Sequence, residues 1–303
     1  LGAAVNGYPY TEQDVKEVAR CFTGWTYQLR EANGKPAGSF VFQAGQHDTG
    51  VKQVLGQAIP AGGGQLDGDL VIDLLCRHAA TPRYVGAKLL RRLVCDHPEA
   101  DCPELLDRVV AAWGKDGSIP ELLRLIVGSA EFKASFGRFG GKLVRPLDQA
   151  ARMLRVLGWP AAEFGSLSSL ILGGRGMLAG CGQLPFYWPT PDGYPDVKEA
   201  WVASAPMIER WNLALALCGA SPGFKPRYLA ASATPPELTR AGQVLDYWLD
   251  RILGRPMLAA DRATVLDFLT MGGTDGDSLT PALRERLPAT LALILDSPYF
   301  LWR

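Results

Sequence analysis

The stretch PELLDRVVAAWGKDGSIPELLRLIVGSAEF, residues 103–132, decides the fold class. Its two halves both begin with Pro-Glu-Leu-Leu, and their apolar residues follow helical spacing. Pro103 marks a helix start, because proline is tolerated in the first turn. Ser118 and Glu121 form an S-x-x-E capping box before the second half. The stretch predicts two consecutive helices joined by a short polar turn.

The segment towards the N-terminus combines helices with a small β element. Thr11 is expected to cap a helix over residues 12–22, and further helices are predicted over 67–78 and 82–94. Between them, WTYQLRE, SFVFQ and KQVLGQ are short, β-prone runs separated by turn residues. We expect a small antiparallel hairpin or three-stranded sheet near residues 25–57. Two strands alone are marginal, so this element must pack on helices.

The segment towards the C-terminus is again helical. Helices are predicted over residues 146–158, 167–178 and, capped by Ser204, 205–217. Thr234 and Glu237 form a second capping box, and the last helix is expected to break or start near Pro288. The fold class is therefore mainly α, a multi-helix globular array. It divides into helical regions 1–140 and 141–303 at a Gly140–Gly141 joint, or forms one continuous domain.

The ending of one helix in each half is similar. LRLIVGSAEF at residues 123–132 and LALILDSPYF at residues 291–300 share apolar residues, a serine and a final phenylalanine. We interpret this as a common way to end a helix rather than as duplication, because ten residues are fewer than one solenoid repeat.

Composition excludes several functional classes. The 31 basic and 31 acidic residues balance, so the chain lacks the electrostatic footprint of a nucleic-acid-binding protein. No apolar run reaches the ~20 residues that a membrane helix needs. The sequence has no GxSxG, HExxH or GxGxxG motif. Its histidines, His47, His78 and His97, lack metal-site spacing, so no metal or cofactor is expected.

The segment QAGQHDTGVKQVLG, residues 43–56, is the first candidate site. His47, Asp48 and Lys52 place an imidazole, a carboxylate and an ammonium close together, which suits acid–base chemistry or anion binding. The alternative is turn chemistry, in which Asp48 accepts backbone N–H groups, Gly50 takes a positive φ and Lys52 is solvated. We favour the turn.

The segment CGQLPFYWPTPDGYPDVKEAW, residues 181–201, is the second candidate and is called the aromatic loop below. Its rings could form an exposed platform for sugar or peptide stacking, or could seal the loop onto the core. We favour burial for most of these rings, which are Phe186, Tyr187, Trp188, Tyr194 and Trp201. Asp192 and Asp196 could be a glycosidase pair, although nothing in the sequence fixes their separation.

The six cysteines include one pair that suits a local disulfide. Cys95 and Cys102 flank a short polar loop between two helices, so an oxidising compartment would favour a bridge between them. The alternative is that several cysteines are buried thiols.

Four segments resemble, in order, the bacterial family catalogued as domain of unknown function 1800. Residues 10–25 are similar to YTExDVxExARxLTGW, and residues 47–56 to HDxGxKxxLG. Residues 77–94 are similar to RHPATARFIARKLxRxFV, and residues 182–214 to GQPxFxPPxVxGWPxG…W…T…LxxRxNxA. Gln46 stands where the family usually has arginine, which weakens an anion-binding role for the His-Asp loop. Tyr194 replaces the family's tryptophan and keeps a ring.

The resemblance implies a mainly helical, exported envelope or secreted protein without an established activity. It further implies that the chain is the C-terminal two-thirds of a family member, whose missing part carries an export signal, often of the twin-arginine type. The motif positions carried over are His47, Asp48, Gly50, Lys52, His78, Arg83, Lys88, Gln183, Pro191, Gly193, Pro195, Trp201 and Arg210.

Two hypotheses of function follow. The first is a non-catalytic protein of the periplasm, cell surface or medium that binds a protein partner, the missing N-terminal part of its precursor, or a surface polysaccharide. Its candidate binding residues are Gln183, Trp188, Asp192, Gly193, Tyr194, Trp201 and Arg210. The second is a hydrolase or lyase acting on a saccharide or ester, with candidate catalytic residues His47, Asp48, Lys52, His78 and Arg83. Convergence of the catalytic candidates in an open pocket would favour the second, and structural hydrogen bonding beside an exposed apolar patch the first.

Overall fold

The computed structural model describes residues 10–302 except 32–33, 35, 115–116, 136–140, 164, 166–167, 169–170, 172–175 and 222–228. The chain folds into two compact units, the first made of Leu1–Leu90 with Pro98–Ser129 and the second of Arg91–His97 with Ala130–Arg303. The predicted division at residue 140 into two domains stays a prediction. Gly140 and most of the helix predicted at residues 167–178 lie outside the described residues.

The described elements confirm a mainly α fold with a small β component. The helices are α1 Glu12–Cys21, α2 Leu66–Arg77, α3 Thr81–Leu93, α4 Pro98–Asp101, α5 Pro103–Ala111, α6 Ile119–Gly128, α7 Ala130–Ser135, α8 Pro146–Leu157, α9 Met177–Gly180, α10 Ser204–Cys218, α11 Ala241–Leu253, α12 Ala259–Thr270, α13 Pro281–Asp296 and α14 Pro298–Leu301. The strands are β1 Trp25–Tyr27, β2 Phe40–Phe42, β3 Lys52–Val54 and β4 Gln57–Ile59. In the described part of the chain, no helix is long and apolar enough to cross a membrane.

The β element consists of two separate antiparallel hairpins. β1 pairs with β2 through Trp25 and Phe42, and β3 pairs with β4 through Lys52 and Ile59. A two-residue turn with positive φ at Leu55 and Gly56 joins β3 to β4. This conformation matches the twist of a tight hairpin and favours glycine at its second position. The second hairpin packs on helices, as expected.

The first unit buries the β3–β4 hairpin against α1 and α2. Cys21, Val54, Ile59 and Val71 form one fully or almost fully buried cluster. α1 begins with the predicted cap, since Thr11 and Asp14 exchange both bonds of a capping box. These contacts fix the loop between β2 and β3, which carries His47 and Asp48.

The second unit is built around a helical core formed chiefly by α8, α10, α11 and α13. Large buried side chains such as Met153, Leu217, Trp248 and Leu291 fill it. Gly158 ends α8 in a left-handed conformation, as glycine does after many helices.

Two predicted helix boundaries and one predicted capping bond were wrong. Ser118 precedes α6, but its side chain makes no capping bond. α11 begins at Ala241, because the Thr234 hydroxyl accepts a hydrogen bond from the Trp248 indole at 3.0 Å instead of capping a helix. Pro288 lies inside the continuous helix α13, where neither a break nor a start occurs.

The two similar segments end their helices with the same local geometry. Ser129 follows α6 with φ −71° and ψ 155°, and Ser297 follows α13 with φ −69° and ψ 154°. Each serine hydroxyl donates to the carbonyl three residues earlier, at 2.7 Å for Ser129 and 2.6 Å for Ser297. A short helix begins directly after each serine, so one residue ends one helix and starts the next.

Candidate functional site

The first candidate site is a buried cluster of His47, Lys52 and Asp67 in the first unit. Lys52 Nζ lies 2.6 Å from Asp67 Oδ2, and both side chains are fully buried. His47 Nε2 lies 3.2 Å from the same carboxylate oxygen and 3.5 Å from Lys52 Nζ. Lys52 also donates to the Asp48 carbonyl. The structure therefore joins two of the predicted residues, His47 and Lys52, to a carboxylate from the first turn of α2.

The remaining ring nitrogen of His47 is held by the backbone. His47 Nδ1 donates to the Thr23 carbonyl at 2.8 Å, just beyond the end of α1. The Thr23 hydroxyl donates to the Arg20 carbonyl and accepts from the Asp48 N–H at 2.8 Å. Both His47 nitrogens therefore have partners inside the protein, and the ring is in edge contact with Phe42. These contacts fix the imidazole in place and leave the His47 side chain 1% exposed.

Asp48 faces a different partner, Arg20 of α1. Arg20 donates to both carboxylate oxygens, at 2.8 and 3.1 Å, and its remaining terminal nitrogen donates to Glu17. The Arg20 guanidinium, helped by the Gly50 N–H, holds the pKa of Asp48 well below its usual value. The Arg20 guanidinium is thus bound to two carboxylates.

The turn interpretation of residues 48–52 was correct for Asp48 and wrong for Gly50 and Lys52. Asp48 accepts the Gly50 N–H at 2.9 Å. Gly50 does not have a positive φ; a Cβ there would lie 2.9 Å from Arg20 Nη2, so a side chain at this position would displace the guanidinium. Lys52 is buried rather than solvated, because Asp67 compensates its charge.

The other two catalytic candidates make separate contacts. His78 follows α2, where its Nδ1 accepts the Ala80 N–H at 3.2 Å. Arg83 of α3 pairs with Asp107 of α5 at 2.8 Å, on the surface. Neither of these bonds reaches the His47 cluster. Their catalytic roles stay predictions.

The first unit also has a half-open apolar cavity of about 260 Å³ beside α1. Its walls are formed by Tyr10, Asp14, Val15, Val18, Val54, Leu55, Leu75, His78, Ala80 and Thr81. Asp14 has a lowered pKa because Thr11 and the Leu55 N–H donate to its carboxylate. Within the described residues, no group of three or more His, Cys, Asp or Glu side chains could hold a metal ion.

The second candidate site, the aromatic loop, divides into an exposed and a packed part. Phe186 is fully exposed, Tyr187 is 73% exposed and Trp188 is 38% exposed. Trp201 is 4% exposed, and Tyr194 is partly buried. The expectation that most of the rings are buried was therefore wrong, because the loop turns its first three rings away from the core.

The packed rings support the exposed ones. Trp188 contacts Tyr194 with 4.9 Å between ring centroids, and Tyr194 contacts Trp201 at 6.0 Å. The Tyr194 hydroxyl donates to the Leu184 carbonyl at 2.6 Å, and the Trp201 indole donates to the Pro195 carbonyl at 3.1 Å. The loop is thus tied to itself by ring contacts and by two hydrogen bonds, and Gly193 takes a positive φ of 76° at its tip.

The two aspartates of the aromatic loop serve different partners. The Trp188 indole donates to Asp192 at 3.3 Å, and the Thr190 hydroxyl also donates to this carboxylate. Asp196 lies 3.2 Å from the buried Lys142, which binds Asp96 at 2.7 Å. Asp96 in turn accepts the Lys198 N–H at 2.9 Å. This second ion cluster, which sequence reasoning missed, fixes the base of the loop.

Two of the predicted binding residues are buried in structural bonds. Gln183 accepts the Leu147 N–H at 2.9 Å. Arg210 donates to Gln149 and, at 2.6 Å, to the Val144 carbonyl. Burial lowers the pKa of Arg210 to about 10 and raises the pKa of Asp296 to about 8. The charges of these two groups also interact, which opposes both shifts. That Gln183 and Arg210 bind a ligand stays a prediction, as does a disulfide between Cys95 and Cys102.

Sequence signals for the missed residues were weak. Asp67 is 20 residues from His47, and Arg20 is 28 residues from Asp48, so no local spacing connects them. An acidic residue in the first turn of a helix is ordinary, since it complements the helix dipole. Only its position shortly after the Gly-rich segment 61–64 distinguished Asp67 from other acidic residues at helix starts.

A family model described as "Protein of unknown function (DUF1800)" matches residues 1–302 of the chain. The family prediction is confirmed. Its finer detail, a C-terminal two-thirds, is corrected in one respect, since the match extends over essentially the whole of this chain. No curated protein and no solved structure matches the chain.

Proposed function

The chain belongs to the DUF1800 family, and from that premise we propose that it is a non-catalytic binding component of the bacterial cell envelope that engages its partner through the aromatic loop. One observation carries this proposal. The loop exposes three consecutive rings, Phe186, Tyr187 and Trp188, on a support of packed aromatic and ionic contacts. Exposed aromatic residues held in a fixed conformation are typical of binding surfaces, because they contribute contact area at a low entropic cost.

The geometry of the His47 cluster supports the same conclusion. A general base must reach a proton on the substrate, yet both nitrogens of His47 contact protein atoms and the ring is buried. Lys52 is fully buried, and Asp48 is bound by Arg20 through both oxygens. The alternative, an envelope hydrolase or lyase using these residues, therefore has less support. Their arrangement suits a structural role, in which they hold the loop between β2 and β3 against α1 and α2.

Export and location in the periplasm, on the cell surface or in the medium belong to this proposal as well. Their support is the family resemblance, including the expected twin-arginine leader on the precursor. A protein partner and a surface polymer are both compatible with an aromatic surface of this kind.

The test is retention on isolated cell-envelope material from the source organism. Wild-type protein is mixed with washed envelopes and sedimented, and a double variant, Phe186→Ala with Tyr187→Ala, is compared with it. We expect the double variant to remain in the supernatant while the wild type sediments. The matched control is Tyr27→Ala, which removes an exposed ring in the other unit and should sediment like the wild type.

Equal sedimentation of the wild type and the double variant would contradict the proposal. The enzyme alternative is tested in parallel with Asp48→Asn, a change that keeps the shape of the side chain. Loss of a hydrolytic activity towards envelope material in this variant, with normal folding, would favour the hydrolase instead.

A further inference from the structure

The outermost segment of the aromatic loop, residues 186–193, has an unusual composition for an exposed turn. All eight residues of the sequence FYWPTPDG are exposed. Three are aromatic and two are proline, and the latter restrict the backbone. Asp192 is the sole charged residue among them. The surface is therefore apolar rings with one carboxylate at its edge.

Phe186 is the second central residue of a turn in which the Tyr187 N–H donates to the Leu184 carbonyl at 3.2 Å, with Pro185 before it. Its φ is +66°, in the left-handed region, and its side chain is fully exposed. That conformation is unfavourable for a residue with a Cβ, because the Cβ crowds the following carbonyl oxygen. A buried ring could offset this cost by packing, but an exposed ring does not. The turn therefore presents the Phe186 ring to solvent, where it is available for a contact with a ligand.

The charge on this surface limits what can bind there. Residues 186–193 hold no lysine or arginine to pair with phosphate, sulfate or uronate groups, whereas they do carry the Asp192 carboxylate. A carboxylate is, however, a strong acceptor for the hydroxyl groups of an uncharged sugar. Aromatic faces carry partial negative charge and attract the partly positive C–H faces of a sugar ring.

We propose that residues 186–193 bind an uncharged polysaccharide, with Phe186, Tyr187 and Trp188 stacking on sugar rings and Asp192 accepting sugar hydroxyl groups. Asp192 is held in place for this role by the Trp188 indole and the Thr190 hydroxyl. Trp188 is in turn supported by Tyr194. This inference rests on the proposed binding function and names the class of its ligand.

The experiment is native affinity electrophoresis of the full chain. Polysaccharide released from the source organism's envelope is separated by anion exchange into an uncharged and an acidic fraction, and each is cast into a gel. We expect the uncharged fraction to slow the wild type and the acidic fraction to leave its migration unchanged. Phe186→Ala and Tyr187→Ala should each weaken the retardation about fivefold, the effect of one aromatic contact.

Controls separate failure of this inference from failure of the proposed function. Tyr27→Ala should be slowed like the wild type, and circular dichroism should show every variant folded. Absence of retardation by the uncharged fraction, stronger retardation by the acidic fraction, or equal retardation of both loop variants and the wild type would each overturn the inference. If the loop variants nevertheless lose envelope retention, the binding function stands with a different ligand, such as a proline-rich peptide.

Discussion

Exchange of Lys52 or Asp67 for an apolar residue tests whether the His47 cluster stabilises the folded state. The Lys52→Met variant leaves the Asp67 carboxylate buried with its counterion removed. The Asp67→Leu variant leaves the Lys52 ammonium buried and also removes the nearer of the two partners of His47 Nε2. We expect each change to lower the free energy of unfolding substantially, because burying an uncompensated charge is costly.

The magnitude follows from the burial and bonding of each group. Both side chains are completely buried and 2.6 Å apart, so breaking the pair should cost about 3–5 kcal/mol. Asp67→Leu should cost about 1–3 kcal/mol more, because His47 loses a hydrogen-bonding partner at 3.2 Å. The double variant Lys52→Met with Asp67→Leu removes both charges. It should be less destabilised than Asp67→Leu alone, which makes the cycle strongly non-additive.

The assay is urea unfolding combined with amide hydrogen exchange. Urea midpoints give the loss of stability, and exchange at the β3–β4 hairpin assigns that loss to the first unit. A loss below about 1 kcal/mol in both single variants, or additive effects in the double variant, would refute the reasoning. Lys52 would then be solvated in solution, and an acid–base role for the cluster would regain support.

Three further predictions concern single positions. Phe186→Gly should be about 1 kcal/mol more stable than Phe186→Ala by urea unfolding, the reverse of the usual order, because only glycine relieves the left-handed φ; equal stability would show that the loop relaxes in solution. Met271→Gly, at the exposed left-handed residue after α12, should raise stability by about 1 kcal/mol, whereas Met271→Ala should not; equal midpoints would contradict this. Burial raises the pKa of Asp296 from 3.8 to about 8, so between these values the folded protein holds a proton that the unfolded chain has released. Stability of the wild type should therefore fall as pH rises through this range, by up to about 1.4 kcal/mol per pH unit relative to Asp296→Asn; parallel pH profiles of the two proteins would refute this.

Local features of the fold were predictable from the sequence. Thr11 and Asp14 are three residues apart, so the cap of α1 depends on nothing distant. The same pattern at Thr234 failed because Trp248, fourteen residues away, takes the hydroxyl. A capping motif predicts a helix start only where no tertiary partner competes for its side chain.

The candidate site was predictable only in part, since it depends on long-range pairs. The local sequence placed His47 and Lys52 near each other but predicted a solvated lysine, because Asp67 and its compensating charge come from another helix. Rings in the aromatic loop have the same local context, so sequence could not distinguish the exposed Phe186 from the buried Trp201. The ion pairs of Lys142 with Asp96 and Asp196, at the base of the loop, decide which ring faces outward.

The serine that follows α6 and the serine that follows α13 have a consequence for how the chain can be altered. Because each residue closes one helix and opens another, an insertion of even one residue there would separate two functions that a single residue now performs. A length change a few residues away, inside a surface turn, would disturb neither. Segments 123–132 and 291–300 should therefore behave as fixed-length modules, tolerant of apolar exchange but intolerant of insertion or deletion.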